Sequence, residues 1–363
     1  MPPVKKPRPR QRTRTVLVTG AGGFAGSYLV EALVACGHRV VAALGPQDSG
    51  AHLSEIRRKI KVVQMDLTDA NKVRRIVKNS RPAWIFHLAA MASVGASFTD
   101  EKQTYAVNLL GSLNLLEASR GLASLEKLVL VSSGDCYGLS ATKGKKLRES
   151  DPLRPISPYG VSKAAMEHLG LYHARQYDLP IVIVRPFNHT GPRQDDRFVT
   201  PNFCKQIAEI EIGLRDQHML VGDLSARRDI SDVRDIVDGY IAAAERGAVG
   251  SVYNLCQGRA IAVKTLLHAL LAMSRVTISV AVDPTRLRKS EIPTLVGLNT
   301  RATKELGFRP RYSMNDTLAN ALTWWRDRVK ATGARPAQGV RPAQGARPVA
   351  RRPRRIQRAT PKR

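Results

Sequence analysis

The segment TVLVTGAGGFAGSYLVEALVACGHRVVAAL, residues 15–44, limits the chain's choices more than any other. Its first five residues are apolar or β-branched, which suits a buried strand. Glycines follow at positions 20, 23 and 26, interleaved with apolar residues at helical spacing (Phe24, Tyr28, Leu29, Leu33), and a second β-rich run begins at Arg39. A strand, a glycine turn and a helix start, in that order, are the context in which glycines make a phosphate site. Gly20 allows the tight turn, and Gly23 lets a pyrophosphate approach the backbone at the helix N-terminus. Gly26 lets helix and strand pack closely. The segment reads as a dinucleotide-binding unit.

The alternation continues down the chain. KIKVVQMDLTD predicts a strand ending at Asp66 and a helix from Asp69, and PAWIFHLAA a strand leading to Ala89 and Ala90, small enough for a cofactor to lie across its end. EKLVLVSSGDCYG predicts a fifth strand ending at Ser132 and Ser133, and LPIVIVRPFN a sixth. Strands alternating with helices build a parallel sheet covered on both faces, and ligands bind outside the carboxyl ends of its strands. Asp66, Ala89, Ser133 and Asn188 fall at such ends, whereas His87 lies inside its strand and reads as a core residue. The expected fold is α/β, a doubly wound parallel Rossmann sheet. It occupies residues 15–188, with 222–256 returning to it. A smaller C-terminal substrate-binding lobe takes most of 189–330, and disordered basic tails take 1–14 and 331–363.

Composition bounds the class. With 363 residues, 43% of them hydrophobic, the chain can bury one large core or two joined lobes. No stretch reaches the ~20 consecutive apolar residues of a membrane span. The start, MPPVKKPRPRQRTR, is basic and proline-rich and lacks an apolar signal-peptide core. Cys36, Cys136, Cys204 and Cys256 are far apart, without metal-ligand spacing, so ordinary thiols in a reducing cytoplasm are expected, and no metal. The net charge of +28 is concentrated at the ends: residues 1–15 hold six Lys or Arg and residues 331–363 hold ten, neither with any acid. The C-terminal repeat GARPAQ-GVRPAQ-GARPVA cannot bury a core. Such tails adhere weakly and non-specifically to polyanions, with strong salt dependence. No aromatic side chains sit among the tail arginines to stack on bases.

SPYGVSK, residues 157–163, puts Tyr159 and Lys163 one turn apart on a helix that Pro158 can open. A cation beside a phenol lowers its pKa, which suits proton exchange near neutrality. Of nine tyrosines, only Tyr159 has a lysine four residues later, and it follows the strand-end Ser133 by 26 positions. Alone, the pair would read as an aromatic contact and a solvated lysine. Together with TGAGGFAG, it resembles the extended short-chain dehydrogenase/reductase superfamily across nearly all of residues 15–330. The resemblance implies that Tyr159 exchanges a proton with the substrate oxygen, that Lys163 depresses the tyrosine pKa and holds the nicotinamide ribose, and that Ser133 hydrogen-bonds the substrate oxygen. Asp66 would bind the adenine edge, and Asn108, in TYAVNLLGSLNLLEAS, would be a structural or cofactor-ordering asparagine. Phe24, Leu67 and Pro186 complete the implied cofactor site with Gly20, Gly23, Gly26, Ala89 and Ala90.

RPFNHTGPRQDDRFVTPNFCKQIAEIEIG, GDLSARRDISDVRDIVDGY and DPTRLRKSEIPTLVGLNTRATKELGFRP narrow the resemblance to the nucleotide-sugar branch. Within it they resemble the GDP-mannose dehydratase and GDP-4-keto-6-deoxy-mannose reductase pair. In that pair a helix entered through FVTPNF and an arginine before SDVRD help hold the diphosphate. Arg228 and Arg288 are the diphosphate candidates, since guanidinium forks suit phosphate oxygens. Glu291 is the candidate for the nucleoside, and Asn188 and Asp135 for the substrate. The dehydratase needs an acid/base carboxylate, usually glutamate, two residues after its serine or threonine; Asp135 stands there, one methylene shorter. A related carboxylate also occurs in the reductase. FNHTGPRQ and EIPTLVG resemble the reductase, with departures at Arg193 for a common glycine and Lys289 for a usual proline.

The resemblance thus implies hydride transfer from NADH or NADPH to the 4-keto group of GDP-4-keto-6-deoxy-D-mannose, giving GDP-D-rhamnose. The alternatives are a 4,6-dehydratase, a 4-epimerase and, outside enzymes, a cofactor-binding regulator or a tail-mediated nucleic-acid binder. Intact Ser133, Tyr159 and Lys163 count against the regulator. The second strand ends AALGPQ, with neither an acid for ribose hydroxyls nor an arginine for a 2′-phosphate, which leaves NADH or NADPH open. Related enzymes pair two long helices, here 101–119 and 158–177, across a two-fold axis. Leu109, Leu113 and Leu116, with Met166, Leu169 and Tyr172, carry the apolar pattern, so a homodimer is expected.

Overall fold

The structure, a computed structural model, describes residues 12–142, 144–286 and 292–333. Most of both basic tails, and the candidates Arg288 and Glu291, lie outside the described residues. The main sheet has seven parallel strands: β1 (Thr15–Thr19), β2 (Arg39–Leu44), β3 (Lys61–Gln64), β4 (Trp84–His87), β5 (Lys127–Val131), β6 (Ile181–Pro186) and an edge strand, Val252–Leu255. Across the sheet they run 3-2-1-4-5-6 and then the edge strand. The order reverses at β1, because β2 and β3 add on one side of it and every later strand on the other. That reversal opens the crevice where a doubly wound sheet binds its ligand. The six strands read from sequence are present, and the edge strand, which the sequence marked only as part of a returning segment, makes the seventh.

Period-two alternation sorts the core onto the two faces. Val16 and Val18 of β1 join Leu29, Val30 and Leu33 of helix α1 (Phe24–Ala35) and Ile236, Val237 and Tyr240 of the helix Val233–Arg246. Leu17, between them, faces the other way, with Leu128 and Leu130 of β5. That side is covered by Val73 and Val77 of helix α2 (Ala70–Ser80) and by Leu115, Leu116 and Met166. Leu116 and Met166 are therefore sheet-facing core residues, and the outward pairing face read for them from sequence is corrected. Asp69 caps α2 by accepting from the Lys72 N–H at 2.9 Å.

Past β6 a second cluster forms from the helices Val199–Glu211, Val263–Leu271 and Met314–Gly333, which bury Phe203, Ile207, Leu267, Leu318 and Trp325. The chain does not stay there. The helix Val233–Arg246, the edge strand and a turn carrying Ala302, Leu306 and Phe308 all return to the sheet core. Among the described residues, no helix is long and apolar enough to cross a membrane.

The helix Pro158–Gln176 is fixed to the sheet by a buried polar network. Its N-cap Ser157 accepts from the Gly160 N–H at 3.0 Å, and Pro158 takes the first position. Three turns in, Glu167 receives Arg185 of β6 through Nε at 3.0 and 3.1 Å and Nη2 at 2.7 Å. Ser132, just past β5, donates its hydroxyl to the same carboxylate. Arg185 also donates to the Tyr137 hydroxyl at 2.8 Å, which donates in turn to Asn254 of the edge strand at 2.8 Å. One carboxylate thus ties the helix to three neighbouring strands. Arg185→Met, which leaves Glu167 buried and unpaired, should cost about 3–5 kcal/mol in urea unfolding. Adding Glu167→Leu should recover most of that loss. A single-variant cost near zero would show that the pair does not hold the helix.

Candidate active site

A cleft of about 1950 Å³ runs along the carboxyl ends of the strands and down to the second cluster. The glycine turn forms its upper wall. Gly20 has φ +67°, and a Cβ there would fall 2.8 Å from the Ala89 backbone nitrogen, so glycine is needed both for the turn and for contact with the loop after β4. Gly23 is the N-cap of α1, and a Cβ on Gly26 would lie 2.0 Å from the Gly20 carbonyl oxygen. The glycines at 20, 22 and 23 thereby bring no side chains of their own to the α1 N-terminus. The close-packed glycine backbone at a helix N-terminus fits a dinucleotide pyrophosphate. Phe24, Asp66, Leu67, Ala89, Ala90 and Pro186 line the same cleft. The Asp66 carboxylate is held below the usual range by hydrogen bonds from the Thr68 hydroxyl and N–H, at 2.7 and 2.9 Å.

The proposed catalytic groups meet in its centre. Ser133 follows β5 and donates to Asp135 Oδ2 at 3.1 Å, while its oxygen accepts from the Asp135 N–H at 3.1 Å. A hydrogen bond also joins Ser133 to the Tyr159 phenol. Burial raises the phenol pKa well above its ordinary value, the Asp135 charge raises it further, and the Ser133 bond only partly opposes them. This reverses the expectation that Lys163 lowers the phenol. Lys163 turns its Nζ to the Val131 carbonyl at 2.7 Å, and burial pulls its own pKa down to about 8. Low dielectric disfavours both charged forms, so phenol and ammonium are each pushed toward neutrality.

Asn108 does not line the cleft. It sits in a π turn, Ala106–Leu110, that interrupts the long helix between Glu101–Tyr105 and Gly111–Ser119. Its Oδ1 accepts from the Met91 N–H at 2.8 Å, and its Nδ2 donates to the Met91 carbonyl at 3.2 Å and to Ser162 Oγ at 3.0 Å. It positions the loop after β4 against the helix Pro158–Gln176, which is the structural role of the two the sequence allowed. His87 supports the same loop from below. The Ala89 N–H donates to Thr19 Oγ1 at 3.2 Å, and Thr19 and Ser112 flank the imidazole at 2.8 Å each. The Ser112 hydroxyl is committed to the Asn108 carbonyl at 2.6 Å, so His87 Nε2 carries the proton and Nδ1 accepts from Thr19. Burial lowers the His87 pKa to about 3, and the ring stays neutral.

Asp135, Asn188 and Arg228, the substrate candidates among the described residues, also line the cleft. Arg228 donates through Nη1 to the carbonyls of Arg227 and Ile292 at 3.0 and 2.7 Å, which aligns its guanidinium along the wall. Of the further lining residues that escaped the sequence reading, three bear on the site. Arg286 reaches the cleft from the other side, bonded to Asn202 Oδ1 at 3.2 Å and the Leu220 carbonyl at 3.0 Å. In so basic a chain its charge alone gave no signal. His189 stacks on Phe24 with ring centroids 5.7 Å apart and so joins the FNH stretch to the glycine turn. The third is Asp48, one residue past the AALGPQ stretch, which folds back over the glycine turn: a Cβ on Gly22 would lie 2.3 Å from its Oδ2.

Comparison with known proteins agrees with this geometry. The sequence profile of the family described as GDP-mannose 4,6 dehydratase matches residues 17–321. GDP-6-deoxy-D-mannose reductase of Pseudomonas aeruginosa is 31% identical over 318 residues, covering 88% of this chain and 99% of the relative. UDP-glucose 4-epimerase of Mycolicibacterium smegmatis is 33% identical over 321 residues, covering 86% and 98%. Among solved structures, RMD from Pseudomonas aeruginosa complexed with NADPH superposes with a TM-score of 0.75 at 30% identity, over 87% of this chain and 100% of that one. The Thermus thermophilus UDP-glucose 4-epimerase complex with NAD gives 0.76 at 31%, over 86% and 99%. The chain belongs to the GDP-mannose 4,6-dehydratase family, NAD(P)-dependent nucleotide-sugar enzymes of the extended short-chain dehydrogenase/reductase type.

Proposed function

We propose that the enzyme reduces the 4-keto group of GDP-4-keto-6-deoxy-D-mannose to give GDP-D-rhamnose. The observation that carries this reading over dehydration is the state of Asp135. A dehydratase needs a carboxylate that reaches the sugar to move protons, whereas the short Asp135 side chain turns back onto Ser133, bonded to its hydroxyl at 3.1 Å. The similarity to the Pseudomonas reductase supports the same choice. The reduced nicotinamide, when bound, supplies the hydride. When substrate is bound, the Ser133 hydroxyl turns its single proton from Asp135 to the substrate oxygen, and Tyr159, kept protonated by burial, delivers its proton to the developing alkoxide. Lys163 holds the nicotinamide ribose. Arg228 and Arg288 take the diphosphate, and Glu291 the nucleoside. The four cysteines, all free, suit a reducing cytoplasm.

We also propose a homodimer through the two long helices. Leu110 is 56% exposed and Tyr172 47%, which leaves apolar surface outside the sheet-facing core for a partner to cover.

The 4-keto sugar nucleotide should oxidise added NADH or NADPH catalytically, while GDP-mannose and UDP-glucose are left unchanged. A 4-keto product from GDP-mannose without net cofactor consumption would establish the dehydratase instead. Tyr159→Phe should lower kcat by about 10²–10⁴-fold with cofactor affinity nearly intact, since only the proton donor is lost. Lys163→Ala should damage both. In the native enzyme, kcat/KM should fall as pH rises through about 8, where Lys163 loses its proton; a rate that keeps climbing beyond that pH would remove the ammonium from the scheme. Light scattering at micromolar concentration should give a dimer mass that Leu110→Asp halves, and a monomeric native protein would refute the assembly.

A further inference from the structure

We propose that Asp48 selects the cofactor: its carboxylate occupies the adenosine-ribose position beside the glycine turn, accepts the ribose hydroxyls of NADH and excludes the 2′-phosphate of NADPH. The inference rests on the NAD(P)-dependence of the family and is independent of which sugar is reduced. Family membership leaves the choice open, since one structural neighbour is complexed with NADPH and another with NAD.

In a dinucleotide fold the adenosine ribose lies between the glycine turn and the end of β2, and an acid there bonds its hydroxyls. Here β2 ends at Leu44, and the backbone turns so that Asp48 comes back over Gly22. Both carboxylate oxygens lie within 2.5 Å of where a Gly22 Cβ would be, and Asp48 lines the cleft with Gly22 and Gly23. The turn is pinned. The Asp48 N–H donates to the Gly45 carbonyl at 3.1 Å, Asp48 Oδ1 accepts from the Gly50 N–H at 2.8 Å, and Gln64 Nε2 donates to the Asp48 carbonyl at 3.3 Å.

Arg193 and Arg328, which line the cleft with Asp48, do not convert the site into a phosphate pocket. Arg193 is drawn to α1, paired with Glu31 at 2.8 Å and lying over the Tyr28 ring at 4.7 Å. Arg328 lies over Trp324, with 5.3 Å to the ring centroid. Burial and those two arginines lower the His52 pKa, against the opposing charge of Asp48. Among the described residues, Asp48 has no ion-pair partner that would cancel its charge. A 2′-phosphate carries a charge of roughly −1.5 to −2, and a carboxylate in contact with it costs at least about tenfold in affinity.

The test is titration of the full-length protein with NADH and with NADPH, followed by nicotinamide fluorescence, in the native protein and in Asp48→Asn. Asparagine keeps an oxygen for the Gly50 N–H and removes the charge. The native protein should bind NADH at least about tenfold more tightly. Asp48→Asn should shrink that ratio at least about tenfold, mainly by gaining NADPH affinity. A second measurement needs no variant: the native protein should bind 5′-AMP and discriminate against adenosine 2′,5′-bisphosphate. Equal or tighter binding of NADPH or of the bisphosphate would overturn the proposal, as would an unchanged ratio in a folded Asp48→Asn. Binding of neither dinucleotide would remove the cofactor reading itself, and this proposal with it. Failure of sugar reduction with normal dinucleotide binding would leave the preference for NADH supported and count only against the proposed substrate.

Discussion

The buried Glu167 carboxylate is the constraint on which the rest of this site depends. A charge this deep is tolerated only when its lone pairs are met, and here Arg185 supplies the countercharge while Ser132 supplies a further donor. The bonds that satisfy it join the helix to the end of β5 and to β6. Ser132 is the residue before Ser133, and Glu167 lies one turn past Lys163. Satisfying Glu167 therefore places the strand-end serine opposite the tyrosine and lysine of the helix. The network extends through Tyr137 to Asn254, so the edge strand is locked by the same carboxylate.

Above that anchor, the electrostatics of the site are set by burial more than by charge pairing. Tyr159 and Lys163 are 8% and 2% exposed, and both are driven toward their neutral forms. A phenol that resists ionisation is a proton donor suited to the end of a reduction, where an alkoxide of high basicity needs a proton. Asp135 strengthens this bias by placing a negative charge near the phenol, and its bond to Ser133 orients that hydroxyl. The carboxylate thus acts on the site through its neighbours. The second support is the chain from Ala89 through Thr19, His87 and Ser112 to Asn108. It fixes a neutral imidazole and holds the loop over which the cofactor would lie.

Much of this was legible in the residues, for local reasons. β1 to β6 are short β-branched runs bounded by turn residues, and the glycines at 20, 23 and 26 have no cheaper explanation than the close contacts they make with Ala89 and Gly20. Tyr159 and Lys163 share a helix face through spacing alone. Other features depend on contacts between distant segments and left no local trace. Leu116 and Met166 looked like interface residues by period, yet period does not say which of two apolar neighbours a helix will face; the sheet claimed them. Asn108 was read as belonging to the cofactor site or its frame, and its placement behind the loop follows from a π turn that no spacing rule announces.

The sequence by itself determined the strand and helix order, the glycine turn and the placing of Tyr159 and Lys163 on one helix face, because each is encoded within a few neighbouring residues. Tertiary structure decided the charge states and the reach of the side chains. The phenol rises because the fold buries it beside Asp135. Lys163 bonds to Val131, 32 residues away, and Asp48 meets Gly22 across the β1–β2 crossover. Those outcomes depend on distance and dielectric in the folded chain, quantities that exist only once segments far apart in sequence have packed together.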